Sequence, residues 1–184
     1  IGISSSVFDG DNVRGTGTPS DGYGNARGLA VFGSKRVSVE DSTFYTWYRG
    51  AVFADSSGLR VIGNRMRDLR SDGMDFAAVQ DVLIQGNSIG SFRTADGSGD
   101  HPDIIQFWTA GTSKPTVDVT ISSNYLDQGQ GGFSQSIFMR NERVDQGLDG
   151  YEMFYRNIRI ENNVIRNGHV HGITVGEVDG LVIN

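Results

Sequence analysis

"GLRVIGNRMRDL" (residues 58–69) and "DVLIQGNSIGSF" (residues 81–92) are two copies of one pattern. Written out, it is apolar-x-apolar-x-x-Asn/Ser-x-apolar, filled by Leu59/Val61/Asn64/Met66 and by Val82/Ile84/Asn87/Ile89. The pattern recurs at Ile1/Ile3/Ser6/Phe8, Val37/Val39/Ser42/Phe44, Val119/Ile121/Asn124/Leu126 and Ile158/Ile160/Asn163/Ile165, and Leu181 and Ile183 begin a seventh copy. From one second apolar residue to the next, the steps are 36, 22, 23, 37, 39 and 23. The short steps define a unit of 22–23 residues, and the long ones are that unit plus a loop. Repeats of this length mark solenoids, in which each unit buries its apolar face only against its neighbours.

A second strand lies between the copies. Leu29-Ala30-Val31, Ala51-Val52-Phe53, Met74-Asp75-Phe76, Ile105-Gln106-Phe107, Ile137-Phe138-Met139 and Ile173-Thr174-Val175 align with outer residues apolar and a variable middle one. Alternation with a period of two places the outer pair inward and the middle residue outward. Short strands on every rung, with no helical periodicity, describe an all-β, right-handed parallel β-helix of about seven rungs with loop insertions. Asn in the turn column fits, because Asn tolerates left-handed backbone angles and its side chains stack from rung to rung. A leucine-rich repeat lacks support, since no helical segment follows each strand. An antiparallel sandwich would not hold one register through seven copies.

Composition narrows the function classes. The chain has 184 residues and a net charge of −6, a poor counterion for nucleic acid or an anionic membrane. No run approaches eighteen apolar residues, so membrane insertion is not expected. There is no Cys to supply a disulfide, and 26 Gly against three Pro, with 37% hydrophobic residues, signals tight turns rather than disorder. The sequence starts at Ile1 and stops within an apolar strand at Ile183-Asn184, with no polar cap at either end. The expectation is a single β-helix domain over 1–184, an excerpt of a longer β-helix or one whose ends are covered by partner chains.

Insertions in a solenoid mark its working face, because the stacked core tolerates none. They flank one strand column here: 9–24 and 92–100 before it, 109–115 and 141–155 after it. Loops on both sides of a flat wall make a groove for an extended polymer. The lip of that wall reads Arg27, Arg49, Asp72, Asp103, Gln135, His171, and the outward column Ala30, Val52, Asp75, Gln106, Phe138, Thr174. With rungs about 4.8 Å apart, Asp72 and Asp103 become neighbours, with Asp75 and Gln106 beside them. Close carboxylates repel, so one of them gains a raised pKa. "SGDHPDIIQFW" (residues 98–108) adds His101 to this patch. The candidate catalytic residues are therefore His101, Asp103, Asp72 and Asp75. The candidate substrate contacts are Arg49, Gln106, Trp108, Gln135, Arg140 and His171.

Each has a plainer reading. Asp and Asn at strand-opening turns serve the backbone, and Arg49 is as well placed to pair with Asp72 as to meet a substrate carboxylate. His169-Val170-His171 offers two ligands, short of a zinc set. Asp9-Gly10-Asp11-Asn12 and Asp96-Gly97-Ser98-Gly99-Asp100 carry oxygens suited to Ca²⁺, but neither completes an EF-hand loop. Tyr45, Trp47, Tyr48, Trp108 and Tyr151 are candidates either to stack on sugars or to cover rung edges.

At these residues the chain resembles the pectate-lyase-like superfamily of right-handed parallel β-helices, over essentially its full length. That superfamily includes polysaccharide lyases, polygalacturonase-type hydrolases, alginate C5-epimerases and phage tailspikes. Ser71-Asp72-Gly73-Met74-Asp75 resembles the Asn-Thr-Asp-Gly segment of the polygalacturonases, and His171-Gly172-Ile173-Thr174-Val175-Gly176 their Gly-His-Gly segment. The paired Asp of the intervening rung is replaced by His101-Pro102-Asp103, and one extra rung precedes His171. Asp100-His101-Pro102-Asp103 is also similar to the Asp-Pro-His-Glu motif of the alginate epimerases, in a different order. The resemblance implies a protein of the cell exterior or of a cell or virion surface, bacterial or phage, whose partner is a polysaccharide.

Two functions follow as expectations. One is an enzyme that cleaves or epimerises an acidic, uronate-containing polysaccharide. As lyase or epimerase it would use His101 as base, Asp103 and Asp72 to orient it, and Arg49 or Arg140 to meet the uronate. As hydrolase it would use Asp72 and Asp103 as the acid/base pair. The other is a non-catalytic glycan-binding or structural β-helix, such as a tailspike, adhesin or surface fibre. The register itself is testable: Val61, Ile84, Ile105, Ile121 and Ile160 should face inward. Ile84→Ala or Ile121→Ala should cost about 2–5 kcal/mol in chemical denaturation, and a cost below about half of one kcal/mol would mean the register is wrong.

Overall fold

The computed structural model describes residues 1–11, 26–94, 99, 101–129, 132–169 and 171–184. Its strands form three sheets, and every neighbouring pair within them is parallel. Sheet A stacks Gly2–Ser4, Lys35–Glu40, Ser57–Ile62, Gln80–Gln85, Val117–Ser122, Tyr155–Glu161 and Val178–Ile183. Sheet B stacks Val7–Asp9, Thr43–Tyr45, Arg65–Arg67, Ser88–Gly90, Tyr125–Asp127 and Val164–Arg166. Sheet C stacks Arg27–Phe32, Arg49–Ala54, Met74–Ala77, Asp103–Trp108, Gln135–Met139 and Ile173–Val175. Each rung passes from A to B to C and returns to A one rung on. This is a parallel β-helix.

The repeat columns are the stacking register. Ile3, Val39, Val61, Ile84, Ile121, Ile160 and Ile183 are successive partners in sheet A. In sheet C, Ala30, Val52, Asp75, Gln106, Phe138 and Thr174 stand opposite one another in order. The inward pairs of sheet C enter a core shared with sheets A and B, where Phe53, Phe76 and Phe107 stack at centroid spacings of 5.1 and 4.9 Å. Such offset stacks of like residues add to the area they bury.

The corner from sheet A to sheet B explains the Asn/Ser column. The residue before it lies in the left-handed region, as at Ser5 (φ 48°), Asp41 (48°), Gly86 (65°), Ser123 (56°) and Asn162 (57°), a conformation open mainly to Gly and short polar residues. The corner turns so sharply that its amides cannot join a strand ladder, and side chains accept them instead. Asn87 Oδ1 accepts from Asn64 N and Nδ2 at 2.8 and 3.0 Å. Its own Nδ2 donates to Val61 O and to Asn124 Oδ1, both at 2.9 Å. Ser42, Asn64, Asn87, Asn124 and Asn163 continue the ladder, and all but the last are buried.

Two departures from the sequence expectation concern the surroundings of sheet C. The 141–155 insertion carries a one-turn helix, Glu142–Asp145, capped by the Asn141 side chain, and a 3₁₀ turn at Tyr151–Met153. The column expected to face solvent is buried at Val52 and Asp75. Strand alternation sets the direction of a side chain but not what covers it.

The ladder should be a principal source of stability. Asn87→Ala removes a partner from Asn64 N, Asn64 Nδ2 and Val61 O. At about 1–3 kcal/mol per orphaned buried group, equilibrium unfolding should show a loss of at least about 3 kcal/mol. A loss under about 1 kcal/mol would show that the ladder matters little.

Candidate functional site

The lip of sheet C gathers charge on three successive rungs. Arg49 opens its strand, Asp72 stands two residues before Met74–Ala77, and Asp103 opens the next strand. Backbone bonds lock them in sequence: Gly50 N donates to Asp72 O at 3.0 Å, and Gly73 N to Asp103 O at 2.9 Å. Gly73 has to be glycine, because a Cβ there would run into the Ile104 carbonyl of the next rung. The rungs therefore approach closely where the acids sit.

Asp72, Asp75 and Asp103 are all enclosed, at 3%, 0% and 0% exposure. Asp72 Oδ1 accepts from Asp103 N at 3.0 Å, and Asp72 Oδ2 lies 3.0 Å from Arg49 Nε. Arg49 Nη1 lies 3.3 Å from Asp75 Oδ2. Arg49 thus pairs with two carboxylates at ion-pair distance, although Nε is not aligned for a hydrogen bond. Neither carboxylate oxygen of Asp75 or Asp103 has a hydrogen-bond partner among the described residues. One guanidinium cannot neutralise three buried carboxylates, so protons must be retained.

The proton affinities follow that imbalance. Burial raises Asp72 above the usual carboxylate range, against the pull of Arg49 and of the Asp103 amide. Asp75 is raised well above that range, first by burial and then by the Asp72 charge. Asp103 is pushed up to about 8 by burial and by Asp72, with the nearby Gln135 amide and Arg49 opposing. Asp72 has the nearest cationic contact and an amide donor, so it is the member best placed to remain ionised.

Beside this cluster the wall opens. A groove of about 540 Å³ runs over the next rungs, lined by His101, Gln135, Phe138, His169, His171 and the exposed Phe133. The protein has three histidines, and all three line this groove. Phe133 stacks on His169 at a centroid distance of 4.3 Å. His101 Nδ1 lies 3.8 Å from Asp103 Oδ2, its ring 73% exposed in front of a fully enclosed acid. Groove and carboxylate cluster meet at this pair and at Gln135, which opens the strand beside Asp103.

The structure brings together His101, Asp103, Asp72, Asp75, Arg49, Gln135 and His171. Gln106 is half-buried in register with Asp75. Trp108 and Arg140 lie at the opposite end of sheet C, away from the acids. Arg140 Nε is bound there to Asp145 Oδ2 at 2.7 Å. Phe133 and Phe138 also line the groove, though neither is a substrate contact expected from the sequence, and His169 is expected there only as a zinc ligand. The groove-facing role of Phe138 was available from its place in the outward column, whereas Phe133 and His169 sit in loops without a period. Tyr48 packs under Arg49 and Arg70, and Trp47 Nε1 donates to Phe8 O at 3.0 Å, so both support rung edges.

Of the two candidate Ca²⁺ stretches, Asn12 and all of 96–100 except Gly99 lie outside the described residues, as does Val170 between the two histidines. Asp9 and Asp11 form a local turn, with Asp11 N donating to Asp9 Oδ1. Among the described residues no group of three or more His, Asp or Glu is arranged to hold a metal. No described helix is long and apolar enough to cross a membrane.

No protein-family model and no curated protein matches the chain. Among solved structures it is similar to an alginate lyase from Paenibacillus sp. str. FPU-7, with 10% identity and a TM-score of 0.39, covering 85% of this chain and 77% of that one.

The raised carboxylates make stability depend on pH with a definite sign. A carboxyl protonated in the fold to about pH 8 but ionised above about pH 4 when unfolded contributes fully at low pH. Its contribution falls as pH climbs between those values. The melting temperature should therefore drop from pH 5 to pH 8.5, and Asp103→Asn should flatten that slope. A parallel slope in the variant would contradict the assignment.

Proposed function

We propose that the groove on sheet C processes an acidic, uronate-containing polysaccharide by abstracting the C5 proton, as a lyase or an epimerase does. The observation that carries this reading is the exposed His101 imidazole backed by the enclosed Asp103 carboxyl at 3.8 Å. A proton on Nδ1, toward Asp103, would leave the Nε2 lone pair for the substrate. As Nε2 accepts the C5 proton the imidazole becomes cationic with its Nδ1 proton still toward Asp103, and it discharges by returning the Nε2 proton to the sugar or passing it to water in the groove. Asp103 acts through His101 and is a positioning residue. The Gln135 amide and the ring N–H groups of His169 and His171 face the same groove as donors for the uronate carboxylate, whose charge grows as the enolate forms. Phe133 and Phe138 offer faces for sugar rings.

A hydrolase would use Asp72 and Asp103 as acid and base, which requires carboxyl oxygens that reach the glycosidic bond. Their enclosure favours proton abstraction by His101 instead. A second reading, a non-catalytic glycan-binding surface, draws support from that same enclosure and from Phe133, 66% exposed on the groove wall. On either reading the partner is a polysaccharide, and the setting is the cell exterior or a surface.

Incubation with a panel of polyuronates separates these. A lyase yields an unsaturated product with ultraviolet absorbance, and an epimerase exchanges the C5 hydrogen for deuterium in heavy water. His101→Ala should lower either rate by about 10²–10⁴-fold while leaving binding nearly unchanged. Full turnover in His101→Ala would refute the assigned base. Tight binding by wild-type protein with no product at any pH would establish the non-catalytic reading.

A further inference from the structure

Sheet B carries a second recess on another face of the solenoid. Small residues at Ser88 and Gly90 leave a notch of about 230 Å³, flanked by Arg65 and Arg67 on one side and by Tyr125 and Asp127 on the other. Arg65, Ser88 and Tyr125 are successive partners across three rungs. Rungs about 4.8 Å apart put the two walls roughly 10 Å from each other, room for one sugar ring lying over Ser88.

The walls differ in chemistry. The Tyr125 ring is 39% exposed and held by its hydroxyl, which donates to Asp127 Oδ2 and accepts from Arg166 Nη1, both at 3.0 Å. It is a fixed apolar face with little rotamer freedom left to lose on binding. Opposite it, Arg65 is exposed, and its guanidinium has no hydrogen-bond or ion-pair partner among the described residues. The other arginines of this face are occupied: Arg67 and Arg93 by Asp68, and Arg166 by Tyr125 and Asp127. Asp127 is a firmly ionised carboxylate, and the Arg166 guanidinium beside it offsets its charge. The Gly129 amide, Tyr125, Asn167 and Arg166 surround it and hold its carboxyl below the usual range. On a chain of net charge −6, the open guanidinium is a local cationic point facing an aromatic ring.

We propose that this notch is a second, non-catalytic glycan site that binds one anionic sugar residue, its carboxylate on Arg65 and its ring face on Tyr125. The choice of a uronate rests on the reading of sheet C, whereas the preference for an anionic sugar rests on Arg65 alone. A site here would hold a passing polymer while the groove engages another stretch of it, raising the effective substrate concentration.

Amide shifts by NMR on the whole chain test this, with galacturonate, mannuronate and guluronate tetramers as probes and cellotetraose as neutral control. One uronate should shift Ser88, Gly90 and Tyr125 in addition to the groove residues, and cellotetraose should not. Arg65→Gln and Tyr125→Ala should each weaken the Ser88 response at least tenfold, with turnover of the tetramer unchanged. Unchanged affinity at Ser88 in both variants, equal binding of cellotetraose, or no shift at Ser88 with any uronate would each overturn the proposal. None of these bears on sheet C, and a loss of turnover in His101→Ala with Ser88 still responding would leave both readings standing apart.

Discussion

Parallel stacking in a single register, one rung about 4.8 Å above the last, is the constraint from which the rest of this molecule follows. A solenoid with this pitch cannot choose its neighbours freely. Whatever residue occupies a given place in one rung lies against the residue at that place in the next. Isoleucines and valines stacked in this way give the core of sheet A, and asparagines stacked at the corner satisfy amides that no strand could pair. The same rule brings Asp72 and Asp103 together at the lip of sheet C, with Asp75 three residues beyond Asp72 in the wall. Their proximity is a product of register rather than of a specialised loop.

That proximity sets the chemistry. Three enclosed carboxyls share one guanidinium, so the cluster holds protons that free carboxylates would release, and Asp103 does so up to about pH 8. Water reaches His101 rather than the carboxyls, since the imidazole stands in front of Asp103 and lines the groove. The proposed function rests on that division, an enclosed acid behind an exposed imidazole. The carboxyls themselves are too enclosed to touch one. Arg49 and Asp72 form the structural part of the cluster, joined to the backbone of the adjoining rung through the Asp103 amide.

The parts legible in the sequence were those with a period. Val61 and Ile84 announced the inward column of sheet A, Asn64 and Asn87 the corner ladder, and Asp75 with Gln106 the register of sheet C. The nearness of Asp72 and Asp103 followed from counting. Burial of Val52 and Asp75 did not, because alternation fixes a side chain's direction and not its cover. Arg140 and Trp108 were grouped with the acids by sequence, yet a six-residue strand carries Trp108 to the far end of the wall, and Asp145 of a one-turn helix holds Arg140 there. Phe133 and His169 come from loops, where no repeat guides the eye. Nothing in the repeat distinguishes Arg65, whose open guanidinium stands out only beside the paired Arg67 and Arg93.

The central claim is that register stacking creates a proton-holding carboxyl cluster directly behind His101. Carboxyl ¹³C titration of the three aspartates by NMR observes it directly. The account predicts that Asp103 titrates near pH 8, that Asp75 titrates well above the usual carboxylate range, and that Asp72 ionises first of the three. Three independent titrations near pH 4 would show that the cluster is hydrated and unlinked, and the case for His101 as its outlet would fall with it.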